Sequence, residues 1–543
     1  MSNQPPLRRS TRASSVGPTG TVPPRAAPLP TTNGTAKPAP LKPTKPVART
    51  DSRSSKRVSS PVRDSPPRKR ARSRGVQSDT EDSKASTLKK AMSSRKLGRK
   101  PTLNGLATVT EEHQQTKPYF NPLPTPPAHP RPANQLFVWG AGNFGQFGMG
   151  PDVLDEFTSP KRNTWVDAKI KEGVFGSEGA GLEAVAAGGL HTLFIDEKGT
   201  VWSCGVNDDA ALGRVTKDIP DPDNPGSFID IDIITSYPYP LQSLVDESFR
   251  AVRIAAGDSV SAAIGTDGDL RVWGSFRANE GSLGFSSDTR HEFLPASILH
   301  LAHKPGDFEK AVSVVAGNNH LLVLTTHGNV YAWGAGEHGQ LGRKIIDRRK
   351  IHGTVPEKIT LGTRSNRAVV IGAGNHCSFA VDDNGDVWGW GLNSMGQTGL
   401  EVSDEIQSPK KIESTLQKVP WGRCSAGKVY ACGRCDSGQL GVKEDDEKYE
   451  ARPNKDFVVE PILVSFDDLE DPIVHISVGT HNNMATSRDG LLYAWGAETQ
   501  GELGVKEKEA KTPTPVVRRE GKFLATTVAC GGQHTLGLFR SKE

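Results

Sequence analysis

Residues Ala316–Gly342 read AGNNHLLVLTTHGNVYAWGAGEHGQLG, the fullest copy of a pattern that recurs along this chain. A second copy, AGGLHTLFIDEKGTVWSCGVNDDAALG, occupies Ala187–Gly213. Each copy holds two short runs with strand-like alternation, joined by a turn that contains glycine. The glycine that closes the aromatic strand recurs seven times, at Gly140, Gly205, Gly274, Gly334, Gly391, Gly433 and Gly496. Self-similarity of this kind predicts a repeat architecture.

The two ends of the repeat region predict how the architecture closes. The first unit begins directly with LFVWGAGNFGQFG at Leu136–Gly148, without the Ala-Gly half that normally precedes it. The last one, CGGQHTLGLF at Cys530–Phe539, lacks the aromatic strand that normally follows. A hairpin with one apolar face must be covered by its neighbours. We therefore predict an all-β, seven-bladed propeller over residues 133–543, whose terminal halves share one blade.

The sixth unit is shorter than the others. From Gly391 to Gly433 there are 42 residues, about 20 fewer than in the neighbouring units. The Ala-Gly-x-x-His strand is absent between Trp421 and Tyr430. A blade without an inner strand would leave backbone groups unpaired. We predict a repeat truncated near residues 424–427, through an omitted exon segment, a splice form or a real shortening of the protein.

The first 132 residues differ from the rest in composition. Residues 1–100 carry 24 Lys and Arg against 5 Asp and Glu, a net charge of +19, whereas residues 101–543 carry 43 against 57, a net charge of −14. This Ser- and Pro-rich basic tail has almost no aromatic residues, so it is predicted to be disordered. A proline-rich linker, Lys117–Pro132, leads into the propeller.

Basic clusters in the tail predict nuclear import and contact with DNA. One cluster has the spacing of a bipartite import signal, with ten residues between its two halves: Lys56, Arg57, then Arg68, Lys69, Arg70 and Arg72. A second cluster lies within Lys89–Lys100. Such runs bind import receptors or nucleic-acid phosphates. The alternative is a tail that is merely soluble.

Other features narrow the compartment and the class of protein. No apolar run approaches the roughly 20 residues of a membrane span, and the N-terminal residues lack the apolar core of a signal peptide. Six cysteines in 543 residues suit a reducing compartment. We therefore expect a nuclear protein with no membrane partner.

Two motifs invite a cofactor or metal interpretation. Gly140-x-Gly142-x-x-Gly145 matches a dinucleotide fingerprint, but the motif recurs in other units and precedes no helix. These glycines are better explained as turn residues with positive φ. Cys432-x-x-Cys435 has no second pair at zinc spacing, and Cys432 stands where the repeat has Trp. We expect no cofactor and no metal.

The recurring histidines His191, His320 and His534 allow two interpretations. Their fixed place in the repeat favours a structural role in each blade, such as bonding a neighbouring backbone. Since they begin strands beside loops on one face of the ring, some of them are also candidates for contact with a partner.

Five segments carry a resemblance to a known family: AGGLHT, AGDS followed by WGSFRANEGSLG, GNNHLLVLT, GAGEHGQLGR and GGQHT. In order and spacing, Gln135–Phe539 resembles the regulator of chromosome condensation family, chromatin-bound guanine nucleotide exchange factors for the small GTPase Ran. The resemblance implies non-covalent catalysis of GDP release, in nucleocytoplasmic transport and mitosis. Propellers of this kind also serve as scaffolds, so an interaction scaffold without exchange activity is the alternative.

The resemblance also implies which residues act on the GTPase. SFRANEGSLGF at Ser275–Phe285 is longer than the corresponding turn AGEHGQLG and would be a wedge that presses on the nucleotide site. The exchange candidates are Asp258 and the wedge residues Ser275, Phe276, Arg277, Ala278, Asn279, Glu280 and Gly281. Further interface candidates are His191, Asn318, Asn319, Arg343, His534 and Asn143. Asn143 and Asn319 stand where the family often has Asp, which should weaken complementarity with a basic GTPase surface.

A second partner surface is implied by the loop Arg343–Lys350. In the family a loop here grips the acidic patch of the histone dimer. The candidates for histone and DNA contact on the nucleosome are Arg348, Arg349 and Lys350. The alternative is a solvated run of charges.

Overall fold

In a computed structural model of the protein, residues 115–413, 427–467 and 470–542 are described. The predicted import signal at Lys56, Arg57 and residues 68–72 lies outside them, as does most of the predicted truncation near residues 424–427. None of the described helices is long and apolar enough to cross a membrane.

The described residues form 30 strands, four short α-helices and one 3₁₀ helix, η1. The strands are β1 (Gln135–Gly140), β2 (Phe157–Arg162), β3 (Leu182–Ala187), β4 (His191–Asp196), β5 (Val201–Gly205), β6 (Tyr239–Pro240), β7 (Ala251–Ala256), β8 (Val260–Gly265), β9 (Leu270–Gly274), β10 (Phe276–Ala278), β11 (Gly281–Gly284), β12 (Glu292–Ala296), β13 (His303–Lys304), β14 (Asp307–Phe308), β15 (Ala311–Ala316), β16 (His320–Thr325), β17 (Val330–Gly334), β18 (Glu357–Ile359), β19 (Ala368–Ala373), β20 (Cys377–Asp382), β21 (Val387–Leu392), β22 (Glu405–Lys411), β23 (Val429–Arg434), β24 (Phe457–Val464), β25 (Ile473–Val478), β26 (Asn482–Ser487), β27 (Leu492–Ala497), β28 (Glu509–Val517), β29 (Phe523–Cys530) and β30 (His534–Ser541). The helices are α1 (Thr164–Lys171), α2 (Ile231–Ser236), α3 (Gln242–Asp246), η1 (Asp347–Thr354) and α4 (Glu447–Glu450).

Six four-stranded antiparallel sheets form the blades of a β-propeller. Listed from the outer strand to the inner one or the reverse, they are blade 1 (β2-β1-β30-β29), blade 2 (β3-β4-β5-β6), blade 3 (β12-β9-β8-β7), blade 4 (β15-β16-β17-β18), blade 5 (β19-β20-β21-β22) and blade 6 (β25-β26-β27-β28). The first strands of successive blades contact one another, as β3 and β7 or β7 and β15 do, so these strands line the axis of the ring.

The prediction of seven complete blades is wrong. Between blades 5 and 6 the described residues form a sheet of two strands only, β23 and β24. These correspond to the third and fourth strands of a complete blade. The physical reason is chain length. β22 ends at Lys411 and β23 begins at Val429, which leaves too few residues for two six-residue strands and their turns.

The prediction that the two ends of the repeat region share one blade is confirmed. In blade 1, β1 pairs with β30 along its whole length, from Gln135 opposite Phe539 to Gly140 opposite His534. The rings of Phe137 and Phe539 stack at 4.5 Å. Closure of this kind removes the free edge that an open sheet would expose.

The core lies between the blades, and the alternation of each strand explains it. Because successive side chains of a strand point to opposite faces, Leu321 and Val323 pack toward blade 3, whereas Leu322 and Leu324 pack toward blade 5. The whole of β16 is buried. Its run of apolar residues therefore belongs to a strand that is covered on both faces.

Glycine is required where the repeat crowds its own backbone. Gly334, which closes the aromatic strand of blade 4, has φ +124°, and a Cβ there would lie 2.4 Å from the carbonyl oxygen of Asn319. A Cβ on Gly317 would lie 2.2 Å from the ring of His320. The glycines of the apparent dinucleotide motif are therefore repeat glycines, as predicted. Among the described residues no group of His, Cys, Asp and Glu could hold a metal ion.

The proline-rich linker packs against the propeller. The side-chain amide of Asn121 donates hydrogen bonds to the backbone oxygens of Thr325 and Ala368, both at 3.0 Å, and so bridges blades 4 and 5. Farther along, Arg131 forms a 2.8 Å ion pair with Glu197 of blade 2. The linker therefore belongs with the propeller.

The missing inner strands leave one face of blade 6 uncovered. In β25, His475 and Ser477 bond to blade 1, so the alternate residues Val474, Ile476 and Val478 face the two-stranded sheet. All three are exposed. Val474 is 49% exposed, whereas Val312, which has the corresponding register in β15, is 9% exposed.

These two valines provide a matched test of the open slot. We expect Val312→Ala to lower the free energy of unfolding by about 1.5 kcal/mol, because two buried methyl groups lose their contacts. Val474→Ala should lower it by less than about 0.5 kcal/mol, as for an exposed site. Urea denaturation followed by circular dichroism measures both. Equal losses would show that Val474 is covered in solution.

Candidate functional site

The turns that begin the second strands form a hydrogen-bonded arc on one face of the propeller. The backbone N–H of Gly532 donates to Gly188, Gly189 to Gly257, Asp258 to Asn318, and Asn318 to Asn375, at 2.6–3.1 Å. Each bond joins one blade to the next, from blade 1 to blade 5. Asp258 and Asn318, two predicted site residues, are therefore fixed by the backbone of their neighbours.

A second set of bonds, which we call the inter-blade latch, lies just beneath this arc. The turn after the third strand of one blade offers a backbone carbonyl to the next blade, where a hydroxyl or amide and a Trp indole donate to it. Gln340 O, for example, accepts from Ser378 Oγ at 2.8 Å and from Trp390 Nε1 at 2.9 Å. The other latch carbonyls belong to Gln146, Ala211, Gln439 and Glu502.

The three repeat histidines are members of the latch. His191 Nε2 lies 2.8 Å from Ser261 Oγ, His320 Nε2 2.9 Å from Ser378 Oγ, and His534 Nε2 2.9 Å from Thr192 Oγ1. The hydroxyl proton goes to the latch carbonyl, so the imidazole donates.

Burial keeps these rings neutral. It lowers the pKa of His191 to about 4 and the pKa values of His320 and His534 to about 3. His191 and His534, which were predicted at the GTPase interface, lie between blades rather than on the surface. Any influence they have on a partner must act through the turns that they hold.

The latch is absent at one junction inside the described arc, between blades 3 and 4. Blade 3 has Val260 in place of the histidine, and blade 4 has Leu321 in place of the hydroxyl. Both pack in one apolar cluster with Phe276 and Trp333. Because the wedge replaces the turn that would supply the carbonyl, the buried indole N–H of Trp333 has no hydrogen-bond partner among the described residues.

This difference predicts unequal effects of the same substitution. Trp273→Phe removes a 2.9 Å bond to the carbonyl of Ala211, whereas Trp333→Phe removes no bond. Both substitutions shorten a fully buried ring. We expect Trp273→Phe to lower the free energy of unfolding by about 1 kcal/mol more than Trp333→Phe. Equal losses in urea denaturation would mean that the indole of Trp333 is bonded in solution.

The wedge, Ser275–Phe285, folds as a hairpin. β10 and β11 pair from Phe276 opposite Gly284 to Ala278 opposite Gly281. Ser275 and Phe276 are fully buried and anchor the hairpin, Ser275 through a 2.9 Å bond to Arg290 O. Arg277, Asn279, Glu280 and Gly281 are exposed. The exposed residues, rather than the whole predicted set, are available to a partner.

Asp258 lies at the base of the wedge, as predicted. β8 begins beside it, and Val260 pairs with Gly274, the last residue before the wedge. Burial raises the pKa of the Asp258 carboxyl, the charge of Arg277 opposes this, and the charge of Asp209 adds to it. Within the described part of the chain, no side chain or backbone group donates a hydrogen bond to this carboxylate.

Asp209 and His291 belong to the site but were not predicted from the sequence. One Asp209 oxygen lies 3.5 Å from Arg277 Nε and the other 3.4 Å from His291 Nε2. Ser259 Oγ also donates to Asp209, at 3.3 Å. Asp209 comes from the turn of blade 2, so only the assembled ring brings it to the wedge. The one sequence signal was the departure of VNDDAALG from the repeat's EHGQLG.

Other predicted residues lie around this center. Asn319 Oδ1 accepts a 2.9 Å bond from the backbone N–H of Arg277, so it supports the wedge. Asn143 is exposed on blade 1. The guanidinium of Arg343 donates to Val355 O at 2.8 Å, and burial lowers its pKa.

The predicted histone-contact residues divide into two kinds. Arg348 and Arg349 are exposed on η1, while Lys350 is partly buried and pairs with Glu337 and Glu280.

Comparisons with known proteins agree with this architecture. Residues 135–537 match a family model described as an RCC1-like domain. Protein pim1 of Schizosaccharomyces pombe is 30% identical over 436 residues, 76% of this chain and 75% of that protein. The guanine nucleotide exchange factor SRM1 of Saccharomyces cerevisiae is 30% identical over 442 residues, 74% of this chain and 86% of that protein. A crystal structure of Prp20p from Saccharomyces cerevisiae, described with its binding properties to Gsp1p and histones, has a TM-score of 0.63 and 25% identity, covering 80% of this chain and 95% of that one.

Proposed function

Because this chain belongs to the family of RCC1-like-domain proteins, we propose that it is a guanine nucleotide exchange factor for the small GTPase Ran, acting on chromatin in the nucleus. A similar protein, SRM1, is named as an exchange factor, and another, Prp20p, is described with its binding to Gsp1p and histones. The observation that carries the proposal is the carboxylate of Asp258, which is half-buried, without a hydrogen-bond donor, and held at the base of an exposed hairpin.

Exchange of this kind needs no covalent step. The propeller would bind the nucleotide-free GTPase tightly and the nucleotide-bound form weakly, so that binding energy offsets the loss of nucleotide contacts. A nucleotide held at nanomolar to picomolar affinity requires about 12–16 kcal/mol. The wedge would supply displacement, and Asp258 with Asp209 would meet a basic or hydroxyl group of the GTPase.

Charge favours the encounter. Residues 101–543 carry a net charge of −14, which has the right sign to steer a basic partner. Asn319 spends its side-chain oxygen on the wedge backbone, so an Asp at this position is not needed to hold the wedge. Asn143 is exposed and offers a neutral hydrogen-bonding group where a charge would bind a basic surface more strongly.

The basic surfaces support the chromatin part of the proposal. Arg348 and Arg349 project from η1 without an ion pair among the described residues, as a contact with an acidic histone surface would require. The tail, with a net charge of +19 over residues 1–100, would bind an import receptor and DNA.

Asp258→Ala tests the exchange site. We expect the rate of GDP release from Ran to fall at least about tenfold, since the carboxylate would act when nucleotide leaves. The melting temperature should be nearly unchanged, because Asp258 accepts no hydrogen bond. Release of a fluorescent GDP measures the rate. Asp269→Ala, at the opposite end of the same blade, is the matched control and should release GDP like the wild type.

Replacing Arg277–Glu280 by a short glycine turn tests the wedge itself. The variant should still bind Ran, because the rest of the face is intact, but release GDP much more slowly. Binding is measured by surface plasmon resonance and release by nucleotide fluorescence. Normal release by folded forms of both this variant and Asp258→Ala would favour the interaction scaffold.

A further inference from the structure

The exposed tip of the wedge touches the next blade at one carboxylate. Glu337, in the turn that follows the third strand of blade 4, accepts the backbone N–H of Asn279 on Oε2 at 2.5 Å. Its other oxygen accepts a bond from Lys350 Nζ at 2.7 Å. Lys350, at η1, also lies 3.2 Å from the carboxylate of Glu280 at the wedge tip.

This contact is well built for an interaction near the surface. The Glu337 side chain is 11% exposed, whereas that of Glu280 is 82% exposed. Burial alone would raise the pKa of Glu337, but hydrogen bonds from Lys350 and from the Asn279 amide outweigh it and hold the pKa below its usual value. Glu337 therefore remains ionised, and a charged acceptor makes the bond to Asn279 stronger than a neutral one would be.

The hairpin depends on such outside support. An isolated two-stranded hairpin is marginal in water, and β10 and β11 pair over only a few residues, with an irregular register after Phe276. Two backbone N–H groups of the wedge instead donate to side chains at blade 4: Arg277 to Asn319 at the base, and Asn279 to Glu337 at the tip. Side chains of blade 4 thus set the direction of a hairpin that belongs to blade 3.

We infer that Glu337 and Lys350 form a clamp that positions the wedge for nucleotide release. The inference rests on the proposed function and adds two positioning residues to it. Lys350, which was grouped with the histone-contact arginines, is assigned to the wedge instead. Glu337 holds the tip directly, and Lys350 orients the carboxylate that does so.

The clamp has a specific kinetic consequence. A wedge that moves freely reaches the nucleotide site less often in a productive orientation, so the maximal rate of release falls. The remaining contacts with the GTPase are unchanged, so the KM for Ran·GDP stays near its wild-type value. A fall in rate at constant KM distinguishes positioning from loss of binding surface.

The test uses the full chain and two independent measurements. Amide hydrogen exchange at Asn279 in the free protein reports the clamp directly. For Glu337→Ala we expect exchange at Asn279 to be at least about tenfold faster, since the bond is gone. Fluorescent GDP release against Ran·GDP concentration should show a maximal rate about five- to tenfold lower for Glu337→Ala and Lys350→Ala, with KM within about twofold. Lys350→Arg should restore most of the rate.

Lys411→Ala is the matched control, because it breaks a 2.8 Å ion pair with Asp386 on blade 5, away from the wedge. It should alter neither measurement. Unchanged protection of Asn279 in Glu337→Ala, or a rise in KM with an unchanged maximal rate, would overturn the clamp. Failure of the wild-type protein to release GDP would overturn the proposed function instead, and the exchange of Asn279 would still decide whether the clamp exists.

Discussion

The inter-blade latch is the interaction on which the rest of the ring depends. One turn carbonyl, such as Gln340 O, accepts from two side chains of the next blade, so the position of each blade is fixed by its predecessor. Each bond contributes only about 0.5–1.5 kcal/mol, but a buried donor left without its partner costs more. Glycine before the histidine and glycine at the end of the third strand follow from the same geometry, since a side chain at either place would strike the latch.

The candidate site lies where the latch is given up. At the junction of blades 3 and 4, Val260 and Leu321 replace its polar members, and the turn that would carry its carbonyl becomes the wedge. Three polar groups are exchanged for apolar packing, which is nearly neutral when all partners change together. The one group left over is the indole N–H of Trp333. A propeller can thus release one turn for function without losing the junction.

Much of this could be predicted from the sequence, because it lies within single repeat units. The closure of β1 on β30 followed from two complementary half-patterns, and the place of Asp258 beside the wedge followed from their common blade. The bonds of Asp209 to Arg277 and of Glu337 to Asn279 join residues of different units, and no periodicity encodes them. The histidines show the same limit: their register predicted a structural role, but the partner hydroxyl lies about 60 residues away in the next blade or at the other end of the chain.

The incomplete unit and the candidate site occupy different parts of the ring. The hydrogen-bonded arc of turns runs from Gly532 to Asn375, with Asp258 and Asn318 inside it. The two-stranded sheet follows that arc and still supplies its own latch carbonyl, Gln439 O, to blade 6. What is uncovered is the face of β25, where Val474, Ile476 and Val478 lie. Since neither the wedge nor its support from blade 4 draws on these strands, the loss of two inner strands affects the stability of blade 6 before it affects the geometry around Asp258.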